Sequence, residues 1–252
     1  MLDIQHISKT FNVGTVNEKR AVTDLSLHLD KGDFVTVIGS NGAGKSTLFN
    51  AIAGSFYVDK GRILLNGKDI TFTREHNRSR VIGRLFQDPL RGTAPHMSIE
   101  ENLALAYLRA AHGNPFSRIT ARNRELFRAQ LAQLDMGLED RLGQPVGLLS
   151  GGQRQMLAIG RGIMMEPKLL LCDEISLGLA PVVIKDIYAK LREIADTGVT
   201  LMIVEQDVNR SLKHSDYAYV ILEGRVVMEG KSSELDPEEV NDAYFGINKF
   251  AH

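Results

Sequence analysis

The chain has 252 residues, 43% of them hydrophobic, and its 30 Lys and Arg against 31 Asp and Glu leave a formal charge of -1. This length supports a substantial buried core, as one large domain or a domain with a subdomain, and the balanced charge excludes a global basic field that would draw the chain to nucleic acid or anionic lipid. The single cysteine, Cys172, cannot close an internal disulfide; it fits a reducing compartment and, set among leucines, reads as a small core residue.

The opening MLDIQHISKTF carries a charge at Asp3 and no apolar signal region, and no apolar run reaches bilayer length, so the chain is expected not to insert into a membrane itself. Short β-branched runs bounded by turn residues predict strands over 4–11, 22–29 and 34–38. A glycine-rich turn follows, then a helix over 46–53 stopped by Gly54. Further strands are expected over 62–65 and 81–86, ahead of the turn signal Asp88-Pro89. From there the pattern becomes helical: Ser98-Ile99-Glu100-Glu101 is a capping box opening a helix to about Ala110, and Phe127, Leu131, Leu134 and Leu138 recur at helical spacing, with a linker at 113–115.

After Ser150 strands and helices alternate: helix to about Met165, strand 168–172, helix 182–195, strand 199–204, helix 207–213. Such alternation predicts a mostly parallel sheet covered by helices. Runs at 217–222 and 226–229 joined by Glu223-Gly224 predict a hairpin, and the last few residues are expected to fray.

GSNGAGKST, comprising Gly39, Ser40, Asn41, Gly42, Ala43, Gly44, Lys45, Ser46 and Thr47, meets every fixed position of the phosphate-binding loop and lies between a predicted strand and helix. Glycines let the backbone fold its N–H groups around phosphate oxygens at a helix N-terminus, Lys45 can bridge the β and γ phosphates, and the Ser46 hydroxyl can ligate Mg²⁺. LLLCDE, residues 169–174, is a buried strand ending in two carboxylates. Asp173 is placed to hold Mg²⁺ and Glu174 to polarise the attacking water as general base. These two motifs alone define only a P-loop NTPase and leave cargo and output open.

Leu149-Ser150-Gly151-Gly152-Gln153 decides further, because serine and two glycines opening a helix form a second anion site. This stretch closely resembles the signature of ATP-binding-cassette (ABC) proteins, and it precedes the acidic strand at the distance expected there. The resemblance covers nearly the whole chain. It implies an α/β P-loop NTPase fold with a mostly parallel core sheet, an N-terminal antiparallel β subdomain and a helical insert, in one domain over 1–252 whose parts are 1–88, 89–155 and 156–252. It implies ATP and Mg²⁺ as ligands, and two chains sandwiching two ATP molecules, with Ser150, Gly151, Gly152 and Gln153 of each touching the γ-phosphate held by the other. Phe11 matches the aromatic that stacks on adenine, and Gln87 the glutamine that senses Mg²⁺ and leads into the helical insert. Transmembrane permease subunits, a second ATPase subunit and a peripheral position on the cytoplasmic face of the cell membrane follow from the same resemblance, with no nucleic-acid partner.

The chain departs from the family pattern in two places. Ala180 stands where the family has an interface Asp, and Gln206 where most members have a histidine contacting the γ-phosphate; an amide donates a hydrogen bond but does not titrate. SLGLAP, VEQ and QMLAIGRGIMMEPKLLL are similar to ATPases of branched-chain-amino-acid importers, whereas the first half is similar to ATPases of tryptophan or tyrosine importers. A recombinant of two parents joined within 147–155, or divergence inside one natural subfamily, accounts for this. An amino-acid importer ATPase is the leading reading, with a nucleotide-binding scaffold of weak or uncoupled turnover, or a soluble cassette acting on DNA or ribosomes, as alternatives.

Overall fold

The computed structural model describes residues 1–110 and 119–247. The linker expected at 113–115 and the expected fraying at the end of the chain lie outside the described residues.

Two compact units share the chain, Met1–Ser79 with Ala195–His252, and Arg80–Ile194. The first begins with strands β1 (Leu2–Phe11), β2 (Lys19–Leu29) and β3 (Phe34–Ile38), helix α1 (Lys45–Ala53), strands β4 (Lys60–Leu65) and β5 (Lys68–Asp69), and the short helix α2 (Glu75–Arg78). β1 pairs antiparallel with both β2 and β4, and β5 extends that sheet. β5 was not expected; Asn66-Gly67, both left-handed at φ 51° and 74°, form the two-residue turn that such a pair of residues favours.

The second unit contains β6 (Ile82–Leu85), α3 (Pro89–Gly92), α4 (Ile99–Ala110), α5 (Ala121–Ala132), α6 (Gly151–Ile163), β7 (Leu169–Asp173) and all but the end of α7 (Pro181–Asp196). β6 and β7 run parallel, Leu85 opposite Cys172. That pairing ties residues 82–85 to the acidic strand. Leu169, Leu170, Leu171 and Cys172 are all fully buried, the continuous apolar run of a strand covered on both faces. Ser98 and Glu101 form the expected reciprocal cap of α4: Glu101 N–H donates to Ser98 Oγ over 3.2 Å, and Ser98 N–H to Glu101 Oε2 over 2.7 Å. α5 ends at Ala132, short of Leu134 and Leu138, because Asp135 (φ 53°) and Gly137 (φ 63°) turn the chain left-handed. Both leucines still join Phe127 and Leu131 in one core with Leu103 and Leu157, where burying each such side chain stabilises by about 1.5–3 kcal/mol.

The chain returns to the first unit with β8 (Thr200–Glu205), α8 (Val208–His214), the hairpin β9 (Tyr217–Leu222) and β10 (Arg225–Lys231), and α9 (Pro237–Phe245). β3 lies parallel between β8 and β9, and β10 is antiparallel to β9. α9 was not expected. It packs Val240 against Ile38, Ala218 and Val220 of the strands and Val208 of α8.

Candidate functional site

Fully buried β3 drives straight into the phosphate loop, and α1 begins at Lys45. Three glycines make that turn sterically possible. Gly42 and Gly44 adopt φ 85° and 108°, where other residues are strained. A Cβ at Gly39 would lie 2.5 Å from the Ile221 carbonyl oxygen, and one at Gly44 would lie 2.6 Å from that of Ala21. The back of the loop is held by Gly224, whose N–H donates to the Ala43 carbonyl over 2.8 Å. Lys45 is buried, and its ammonium donates to the Gly39 and Ser40 carbonyls of the loop. Ser46, one residue on, is exposed in the first turn of α1.

Gln206, just past β8, reaches the same loop: its Nε2 donates to Asn41 Oδ1 over 3.2 Å. Behind it Glu205 is buried at the strand end, 3.8 Å from the guanidinium of Arg210, which also pairs with Asp207 at 3.0 Å. Phe11 ends β1 and is half-buried; its ring stands edge-on to Phe56 with centroids 5.2 Å apart. Lys9 Nζ lies 5.6 Å and 5.5 Å from the two ring centroids and pairs with Asp59 at 2.7 Å. Burial pushes the Asp59 carboxyl upward, but hydrogen bonds from Lys9 and from the Thr10 N–H outweigh it and hold the group below its ordinary value.

In the second unit Asp173 closes β7, and Glu174 follows at φ 44°, a left-handed conformation that a non-glycine residue adopts at a cost. Gln87 is exposed two residues past the end of the neighbouring parallel strand β6, so the amide and both carboxylates follow adjacent strand ends. Arg84 Nη2 lies 3.7 Å from Asp173 Oδ2, and its guanidinium covers the Phe86 ring at 4.8 Å. Sequence reasoning passed over Arg84; the signal was a cation inside an otherwise apolar strand.

Ser150 caps α6: its Oγ accepts from the Gln153 N–H over 3.3 Å while Gln153 Oε1 accepts from the Ser150 N–H over 3.1 Å. A Cβ at Gly152 would lie 2.7 Å from Val183 Cγ1, so this glycine permits α6 and α7 to touch. Gly151 and Ser150 remain exposed, presenting a capped helix N-terminus at the surface. The phosphate-loop and strand-end residues predicted from the sequence thus gather in two groups, apart from Ser150 to Gln153 at the start of α6. Loop, Lys45, Ser46 and Gln206 lie together in the first unit, Gln87, Asp173 and Glu174 at strand ends in the second; Phe11 contacts Phe56 and Lys9 on its own platform.

The ABC transporter family pattern matches residues 22–176, from β2 through the phosphate loop, the capped helix and the acidic strand end. The chain belongs to the ABC transporter family, as one of its ATPase domains. Among curated relatives, the high-affinity branched-chain amino acid transport ATP-binding protein BraG of Pseudomonas aeruginosa is 37% identical over 231 residues, 90% of this chain and 94% of that protein. A tyrosine transport ATP-binding protein of Clostridioides difficile is 32% identical over 248 residues, 97% of this chain and 98% of that one. Among solved structures, the ADP conformation of MJ1267, an ATP-binding cassette of an ABC transporter, superposes with a TM-score of 0.80 at 29% identity, covering 97% of this chain and 94% of that one. Both of these matches run through the middle of the chain, and neither marks a join between two parents. No described helix is long and apolar enough to cross a membrane.

Proposed function

We propose that this cassette hydrolyses ATP to drive a membrane importer for amino acids, docked on permease subunits at the cytoplasmic face of the membrane and paired with a second cassette. The observation that carries the reading is the glycine cradle closed by a buried lysine: loop positions that reject a Cβ, with the Lys45 ammonium turned onto the loop. In the proposed complex Lys45 exchanges its carbonyl partners for the β and γ phosphates, and Phe11, braced by Phe56, stacks on adenine.

Ser46 and Asp173 would offer hard oxygens and Gln87 an amide oxygen to Mg²⁺, an ion that takes few protein ligands beside substrate phosphates. Such an ion would supply neutralising positive charge to the triphosphate. Glu174 takes a proton from the attacking water, and Gln206 donates to the γ-phosphate. The exposed, capped start of α6, Ser150 to Gln153, covers the triphosphate of a partner cassette, so that ATP draws two cassettes together and hydrolysis releases them. The cargo assignment follows the names of the branched-chain amino acid and tyrosine relatives. The test is ATP binding and turnover by the purified chain with Mg²⁺. Wild type should bind and hydrolyse ATP, Lys45→Ala should lose tight binding, and equal affinity in the two would sink the reading.

A further inference from the structure

Gln155 is 1% exposed, yet its Nε2 has no hydrogen-bond partner among the described residues. A buried donor without an acceptor forfeits its hydration and gains nothing in return, so such a group in a native fold calls for an explanation.

Helix geometry gives the direction of this amide. Each residue of α6 turns by about 100°, and glycines along the helix mark its neighbours. A Cβ at Gly152 would meet Val183 of α7, one at Gly160 would meet Leu134 at 3.0 Å, and one at Gly162 would meet Leu85 and Leu170 at 3.2 and 3.4 Å. Gln155 precedes Gly162 by seven residues, about 700°, and so points within about 20° of the same direction, toward β6 and β7. Its level along the strands follows too. The C-terminal turn of α6 lies over Leu170 near the start of β7, and the short connection 164–168 makes helix and strand antiparallel. Seven residues back along the helix cover about 10.5 Å, and three residues forward along β7, from Leu170 to Asp173, cover about 10 Å. Because the Gly162 position also meets Leu85, opposite Cys172 at the end of β6, Gln155 stands at or just past the ends of both strands, level with the residues that follow them.

β7 extends through Asp173, but β6 stops at Leu85, so the backbone of 86–88 lies outside the ladder. Building on the ATPase reading above, we propose that Gln155 is a positioning residue whose amide takes its acceptor from the segment carrying Gln87 when nucleotide is bound. Such a bond would tie the signature helix to the strand end that carries Gln87.

Gln155→Met keeps the volume and removes the donor. Without nucleotide the variant should melt at the same or a higher temperature than wild type, because nothing is lost. With Mg²⁺ and ATP its thermal stabilisation should be smaller, and kcat should fall about tenfold with KM for ATP nearly unchanged. A drop in the nucleotide-free melting temperature with kcat unaltered would make Gln155 a conventional core amide and overturn the proposal. If the variant does not fold, the wild-type chain decides: the Gln155 side-chain amide protons, followed by ¹⁵N NMR, should exchange more slowly once Mg²⁺ and ATP are added, and no change rejects the idea. Absence of turnover in wild type would count against the ATPase reading, whereas normal turnover in both proteins would count against Gln155 alone.

Discussion

Gln206 donates to Asn41 across 3.2 Å, which fixes the residue after β8 against the phosphate loop. Because this amide does not titrate, turnover should be nearly flat between pH 6 and 8. Gln206→His should maintain or raise turnover at pH 8 and introduce a dependence centred near the imidazole range, about 6.5. Steady-state rates across that interval check this; complete loss at every pH would give the glutamine a specialised role.

Glu174 is held in a left-handed conformation immediately after β7. Glu174→Gln should leave ATP affinity intact and lower turnover about 10²- to 10⁴-fold, with an ATP-trapped dimer visible by size-exclusion chromatography. Unchanged turnover would remove the general-base assignment.

Arg78 is 2% exposed and donates to the carbonyls of Ala51 and Ile52 at the end of α1 and of Thr71 and Thr73 beyond β5. Burial lowers its pKa, and Gly54 leaves the room it occupies, since a Cβ there would lie 2.8 Å from Arg78 Nε. Arg78→Ala strands four acceptors and opens a void, and should destabilise the chain by about 2–4 kcal/mol in urea melts.

Burial pushes the Tyr219 phenol up to about 12, while its oxygen accepts from the His28 N–H and its hydroxyl donates to the His28 carbonyl. In the unfolded chain the group ionises near 10. The stability from this difference is complete below pH 10 and is lost as pH rises toward 12. Tyr219→Phe should lower the melting temperature at pH 8 and lack this component of the alkaline decline, as melts from pH 8 to 12 would show.

Local chemistry was legible in the sequence. The strand at 34–38 is found with those bounds, and glycines at fixed spacing announced the loop, because such motifs depend on neighbours within a few residues. α9 was legible but passed over: Asp236 caps it by accepting from the Glu238 N–H, Pro237 occupies its first position, and two acidic residues fill its first turn. Arg78 and Tyr219 gave no such sign, since partners lie 27 and 26 residues away for Ala51 and Ile52 and 191 residues away for His28. Where Gln155 points became legible only once the strands beneath α6 were known.

The turn between β9 and β10 grips the loop from behind through the Gly224 amide, and a Cβ at Gly224 would lie 2.7 Å from the Ala21 carbonyl. A reporter or affinity tag spliced into that hairpin tip would therefore corrupt triphosphate capture from a part of the sequence some 180 residues away. The exposed bend between β1 and β2, where Val13 and Val16 face solvent, offers an insertion point that leaves this grip intact.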